Sequence, residues 1–285
     1  MSTETEGQIS HPSSAPLLWA LDLLMLGILA GVLALPMLIL GPMPDGHDTY
    51  QHLSYSRHFS EQFWRGDLDP KWLRDMNHGL GSPSFFVYPP FAAYVYTFLQ
   101  PVGRLCHFDP FRAGQFLALF GSGLTAFLWM RTLVSRAVAR ASAVLYMLMP
   151  YHLAIDFYRR TALAECWAFV WMPLFFYFAT RASQQRRASI VAMAVTYALL
   201  ILSHPISAAI FCPIALAAVL TFSPGKKIRS VCRVSLAMGL GNSSFVLLLP
   251  TGPVGSQKFP CLPPSRFRFV GSESDWPERC RTAWL

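Results

Sequence analysis

The feature that most constrains this chain is a series of apolar runs long enough to cross a lipid bilayer. Residues 17–40 carry a single charge, Asp22. A helix needs about 20 apolar residues to cross about 30 Å of hydrocarbon. Charged residues make up only 13% of the sequence and hydrophobic residues 53%, whereas soluble domains carry about 25% charged residues. The sequence therefore predicts an all-α integral membrane protein.

Further apolar runs bring the predicted number of spans to about seven. The other candidates are residues 113–130, 141–155, 162–180, 188–203, 206–222 and 231–250. The runs 188–203 and 206–222 are separated by little more than His204 and Pro205, and because proline breaks helices, a tight turn is predicted there. Residues 1–16 form a predicted N-terminal tail, and residues 17–250 a membrane domain.

The distribution of basic residues predicts the orientation of these spans. The formal net charge is +8, but the arginines and lysines lie mostly in short breaks between apolar runs, so nucleic-acid binding is not expected. Cytoplasmic loops carry an excess of such residues. This rule places residues 131–140, 181–187 and 224–233 in the cytoplasm together with the N-terminus, and residues 156–165 and 203–207 on the outer face.

Residues 85–105 are apolar, but their prolines argue against a crossing. A helix that starts after Pro89 and Pro90 and stops by Pro101 has about eleven residues and is too short to span the bilayer. We predict an interfacial helix instead. Residues 41–112 then form one large external loop.

The start of this loop, "GPMPDGHDTYQHL" (41–53), carries the first candidate site. Asp48, His52 and Tyr55 are spaced i, i+4, i+7 and share one face of a helix. A carboxylate beside an imidazole can act as a general base, and Asp45 is a secondary candidate. The structural alternative is a capping box formed by Asp48 and Gln51.

A divalent cation is left open at this point as well. His47, Asp48 and His52 are suitable ligands, although their spacing matches no strong metal signature. No other cofactor is indicated.

Two more polar clusters lie on the predicted outer face. Asp156, Arg159, Arg160 and Glu165 include an ionisable residue just inside a span, which is a functional hypothesis by default, and arginine pairs suit phosphate. The alternative is an Arg–Glu pair that only joins two helix ends. His204 either belongs to the site or has a structural role at its turn.

Several stretches resemble a known superfamily. The order of three features is similar to the first external loop of GT-C glycosyltransferases: an acidic residue past the first span, then "RGDLDPKW" (65–72), then "GLGSPSFFVYPPFAAYVY" (79–96). Lipid A aminoarabinose transferases and protein O-mannosyltransferases share this order. "FFVYPPFAAYVY", "YRRTALAECWAFVWMPLFF" (158–176) and "LSHP" (202–205) more closely resemble the bacterial membrane family named 6-pyruvoyl-tetrahydropterin synthase-related. The resemblance covers about residues 17–250.

The resemblance implies a GT-C-like polytopic helical bundle with interfacial helices in the first external loop. It implies a transferase that takes a sugar from a polyprenyl-phosphate donor at the outer face of a bacterial inner membrane, with membrane lipid around it. By position, Asp48 would be the base or orient the acceptor, with His52 in the next turn.

The second set of residues receives its roles from the same resemblance. Arg159 and Arg160 would hold the donor phosphate, and Asp156 or Glu165 would assist a metal or the acceptor. Glu165 and His204 thereby become site candidates rather than purely structural residues.

The end of the chain departs from this pattern. Residues 251–285 have scattered charges and no helical period and are expected to be disordered. We expect a truncation or frameshift, in which case the donor-binding half would be missing and the chain inactive. The alternative function is a non-catalytic membrane protein, either a transporter or an assembly subunit of a cell-envelope polysaccharide system.

Overall fold

The computed structural model describes residues 15–39, 46–182 and 187–222, which are helical apart from turns and one antiparallel bridge between Leu73 and Ser82. The elements are α1 (Ala15–Ile39), α2 (Thr49–Trp64), α3 (Met76–Gly79), α4 (Ser84–Val87), α5 (Phe91–Cys106), α6 (Pro110–Met130), α7 (Arg136–Met147), a π-helix (Tyr151–Arg160), α8 (Leu163–Ala182), α9 (Arg187–Ser203) and α10 (Pro205–Phe222). The predicted all-α class is confirmed for these residues.

Four of the described helical stretches are long and apolar enough to cross a membrane: Pro16–Ile39, Pro110–Met130, Arg136–Arg160 and Leu163–Ala182. Two shorter apolar helices follow, Ala188–Ser203 and Pro205–Ala218. These six stretches match six of the predicted runs. The predicted span 231–250 and the tail 251–285 lie outside the described residues, as does the tail 1–14.

The helix that follows Pro90 is longer than the sequence predicted. α5 begins at Phe91, continues through Pro101 and ends at Cys106, so the prediction that it stops by Pro101 was wrong. The prolyl ring costs a backbone hydrogen bond but does not end this helix. Its 16 residues still extend only about 24 Å, less than a bilayer core.

α6 lies at the centre of the bundle and contacts α1, α5, α7 and α8. Small residues allow these close approaches. A Cβ on Gly123 would lie 2.3 Å from the sulfur of Met147 on α7, and one on Gly121 would lie 3.3 Å from Val170 on α8. The main core, which includes Leu26, Phe111 and Phe127, is built around this helix.

The single charge of the first span is neutralised by α7. Asp22 is 1% exposed, and it accepts hydrogen bonds from Nε of Arg136 at 2.7 Å and from Nε of Arg140 at 2.6 Å. The N-terminal part of α1 therefore lies at the same end of the bundle as the start of α7. At the other end, the Tyr158 hydroxyl donates to the carbonyl of Leu33.

This contact agrees with a first loop that does not cross the membrane. If α1 and α6 each cross once, the start of α1 and the start of α7 lie on the same side, as the contact requires. A crossing by α5 would place them on opposite sides.

Replacing Asp22 by Asn should lower the free energy of unfolding by about 3 kcal/mol, because two partly buried guanidinium groups lose their counter-ion. Denaturant unfolding of the purified protein in detergent measures this change. The control is Asp75→Asn, whose partner is Arg65 at 2.7 Å with both side chains more than half exposed. This exposed pair should contribute less than about 1 kcal/mol. Equal losses in the two variants would contradict the prediction.

Candidate functional site

Four segments that are distant in sequence meet at a pocket of about 150 Å³. The first is the start of α2, the second is the turn between α4 and α5, the third joins the π-helix to α8, and the fourth is the turn between α9 and α10. The lining residues are Asp48, Gln51, His52, Tyr88, Arg160, Ala162, Ala164, Glu165 and His204. All three predicted polar clusters thus contribute to one pocket. Pockets that enclose a whole small ligand measure roughly 300–1,000 Å³, so this one has room for part of a larger molecule.

The first loop is attached to the end of the π-helix through its backbone. The N–H of His47 donates to the carbonyl of Arg159 at 3.3 Å, and the N–H of Asp48 donates to the carbonyl of Arg160 at 2.9 Å. A Cβ on Gly46 would lie 2.1 Å from Oγ1 of Thr161. Only glycine fits at this contact, which explains its place just before the predicted site.

Asp48 precedes the first residue of α2, but its side chain makes no capping hydrogen bond. Its Oδ2 lies 3.3 Å from Nη2 of Arg160 instead. The capping box with Gln51 is therefore absent, and Gln51 donates to the Tyr55 hydroxyl. Asp48 belongs to the pocket rather than to the helix end.

Arg160 is the centre of the charged network. Its Nη1 lies 3.0 Å from Asp156 and 2.7 Å from Glu165, in addition to the contact with Asp48. Glu165 also accepts a hydrogen bond from the Tyr151 hydroxyl at 3.0 Å. Three carboxylates therefore surround one guanidinium, and the pocket has an excess of negative charge when all of them are ionised.

The predicted role of Arg160 in holding a donor phosphate has to compete with these contacts. All its ion pairs within the described residues are with carboxylates of the protein. Arg159 is exposed and does not line the pocket. The phosphate role of both arginines stays a prediction.

His52 and Tyr88 line the pocket and contact each other. His52 is 7% exposed, and the Tyr88 hydroxyl lies 3.2 Å from its Nδ1. Burial lowers the pKa of His52 to about 4, so the imidazole is neutral at physiological pH. Burial also raises the pKa of Tyr88 above its ordinary value, which keeps the phenol protonated.

Tyr88 did not emerge as a site candidate from the sequence. It precedes the Pro89–Pro90 pair, in the apolar segment 85–105 for which an interfacial helix was predicted. The sequence signal for Tyr88 was its position next to two helix-breaking prolines, where the chain turns back toward α2. Contacts with His52 depend on long-range packing that a single sequence does not reveal.

His204 has both a structural and a pocket-lining position. Nδ1 accepts the backbone N–H of Ser207 at 3.2 Å and so caps α10. The neutral imidazole therefore carries its proton on Nε2. Burial lowers the pKa of His204, which favours this neutral form. The sequence left open whether His204 has a structural role at its turn or belongs to the site, and the residue occupies both positions.

The remaining predicted site residues are Asp156, Asp45 and the ligands of a divalent cation. Asp156 is fully buried behind Arg160 and does not line the pocket, and its Oδ2 has no hydrogen-bond partner in the described part of the chain. Asp45 lies outside the described residues. Within residues 15–39, 46–182 and 187–222, no three His, Cys, Asp or Glu side chains are placed to hold a metal ion.

The Gly46 contact predicts a specific rescue. Gly46→Ala should lower the free energy of unfolding by about 2 kcal/mol, because the new methyl group displaces the loop from Thr161. Adding Thr161→Gly should restore at least half of this loss, since it removes the closer of the two opposing hydroxyls, the other being Oγ1 of Thr49 at 2.6 Å, and suits the left-handed backbone (φ 58°) at this position.

Gly31→Ala is the matched control, because no atom lies within 4 Å of the added Cβ. Unfolding in detergent measures all four proteins. Equal effects of Gly46→Ala and Gly31→Ala, or no rescue by Thr161→Gly, would contradict the docked loop.

The buried His52 predicts a loss of stability in acid. Below pH about 6.5 the unfolded chain binds a proton at this histidine, whereas the folded chain does not until pH 4. The free energy of unfolding should therefore fall as the pH drops from about 6.5 to 4, by at most about 3 kcal/mol from this residue. His52→Gln should remove this part of the slope in pH-dependent unfolding. Curves of unfolding free energy against pH that run parallel for the two proteins would contradict this prediction.

Comparison with known proteins supports the membrane assignment. Residues 85–253 match the model of a family described as 6-pyruvoyl-tetrahydropterin synthase related domain, membrane protein. The match includes Arg160, Glu165 and His204 but begins after Asp48 and His52. A search of curated proteins gave no match. Since the matched residues make up more than half of the chain, the protein belongs to this family of integral membrane proteins.

Proposed function

We propose that the protein is a GT-C-like membrane glycosyltransferase that uses a polyprenyl-phosphate-linked sugar at the outer face of a bacterial inner membrane. The observation that carries the proposal is the state of Asp48. Its side chain is one-third exposed and contacts Arg160 through Oδ2, while Oδ1 has no partner among the described residues. A carboxylate oxygen is thus available to a group that enters the pocket.

The chemistry of the other walls fits a hydroxyl group of an acceptor. Asp48 can accept the hydroxyl proton, and Nε2–H of His204 can donate to an oxygen. His52, neutral because its pKa is about 4, orients rather than deprotonates. The excess of negative charge disfavours a phosphate deep in the pocket.

The proposed reaction follows from these roles. Asp48 removes the proton of the acceptor hydroxyl as the oxygen forms a bond to the anomeric carbon of the sugar. The bond between that carbon and the phosphate oxygen breaks, and polyprenyl phosphate leaves with the bonding electron pair.

The N-terminus and the basic segment 131–140 would lie in the cytoplasm.

One observation favours the alternative, a non-catalytic transporter or assembly subunit. Arg160 and its three carboxylates already form a closed network that joins the first loop to the bundle. Such a network stabilises a fold without any reaction. The two functions differ in what happens when Asp48 loses its charge.

Asp48→Asn should reduce sugar transfer at least about 100-fold if Asp48 is the base. Membrane vesicles containing the protein would be incubated with a panel of polyprenyl-phosphate-linked hexoses, and release of polyprenyl phosphate would be followed. Asp75→Asn, which changes an exposed carboxylate of the same loop, is the control and should keep full activity. Unchanged turnover in a folded Asp48→Asn protein would contradict the proposal, and no turnover by the wild type would favour the non-catalytic alternative.

A further inference from the structure

A second charged cluster lies at the end of the bundle away from the candidate pocket. Asp22 accepts from Nε of Arg136 through Oδ2 and from Nε of Arg140 through Oδ1. Two guanidinium groups therefore share one carboxylate, and the cluster has a net charge of +1. Asp22 itself is buried, so the excess charge is presented by the arginines.

The geometry leaves the outer part of Arg140 free. This side chain is 35% exposed and contacts Asp22 through Nε alone. Its Nη1 and Nη2 have no partner among the described residues. A guanidinium fork with free Nη groups matches a phosphate with two parallel hydrogen bonds.

The adjacent groups hold the neighbouring Arg136 in place, and its charge adds to the positive potential around the fork of Arg140. The ring of Trp19 lies 5.3 Å from Cζ of Arg136 and packs edge-on against Phe127 at 5.7 Å. Ser135, which precedes α7, makes no side-chain capping bond, and the positive end of the α7 dipole lies at Arg136, the first residue of the helix.

The position of the cluster points to the lipid phase. Trp19 is 39% exposed, and exposed tryptophans favour the membrane interface. Leu23 and Val138 flank the cluster in sequence and are 42% and 50% exposed. Apolar side chains next to a cationic fork suit a molecule with both a phosphate and acyl chains.

We propose that the fork of Arg140, held by Asp22 beside Arg136, binds the phosphate of an anionic phospholipid at this end of the bundle. The ligand is a lipid of the surrounding leaflet rather than a substrate of the candidate pocket. Anionic leaflets attract basic segments, and this cluster gives that attraction a defined place on α1 and α7.

The test compares two lipids on the full chain. The purified protein is placed in nanodiscs of phosphatidylcholine with or without phosphatidylglycerol, and retained lipid is counted by native mass spectrometry after release. Phosphatidylglycerol should be retained in preference to phosphatidylcholine. Arg140→Gln should weaken that retention roughly fivefold, whereas Arg104→Gln, which changes an exposed arginine on α5, should leave it unchanged.

The midpoint of thermal unfolding in each nanodisc separates lipid binding from a structural role. If Arg140 only joins α7 to α1, Arg140→Gln lowers the midpoint equally in both lipids and leaves selective retention intact, which would overturn the proposal. Arg140→Lys keeps a charge beside Asp22 and preserves folding but lacks the fork, and it should retain less phosphatidylglycerol than the wild type. Displacement of the lipid by millimolar inorganic phosphate would assign the site to free phosphate and would also overturn the proposal.

Discussion

The pocket depends on the balance of charge around Arg160. A guanidinium near the membrane is stable only when it is paired, and three carboxylates from three segments supply the pairs. Asp156 comes from the same π-helix, Glu165 from the first turn of α8, and Asp48 from the loop that follows α1. Removing this one cation would leave three carboxylates close together with no counter-ion, and the start of α2 would lose its ion pair with the bundle. The backbone hydrogen bonds of His47 and Asp48, next to Gly46, also attach the loop to the end of the π-helix.

Much of the fold could be predicted because apolar periodicity is local. Six of the predicted runs coincide with described helices, and the break at His204–Pro205 was visible in the sequence because proline interrupts the backbone ladder. Charge distribution also predicted that the three polar clusters share one side of the membrane, and their contact in one pocket agrees with this. The length of α5 was underestimated, since packing against α2 and α6 stabilises a helix through Pro101 that local propensity would end.

The details of the site were beyond the sequence for a physical reason. Which partner a charged side chain selects depends on distances between segments more than a hundred residues apart. Spacing alone allowed Asp48 to be a helix cap, and only the position of Arg160 decides against it. Tyr88 and the proton position of His204 depend in the same way on tertiary contacts. Within the described residues, the two ends of the helical bundle also carry charge clusters of opposite sign. Carboxylates are in excess at the pocket, and guanidinium groups are in excess beside Asp22.

The Asp22 cluster has a consequence for how the chain enters the membrane during synthesis. Asp22 and Arg136 are separated by 114 residues, so the first span is made and delivered to the bilayer long before its counter-ions exist. The apolar length of α1 must therefore outweigh an unpaired carboxylate, whose insertion costs up to about 3 kcal/mol. The charge of Asp22 can be paired only after α7 has emerged. The assembly of the bundle thus has a built-in order, in which the first helix to enter keeps an unpaired carboxylate until α7 arrives.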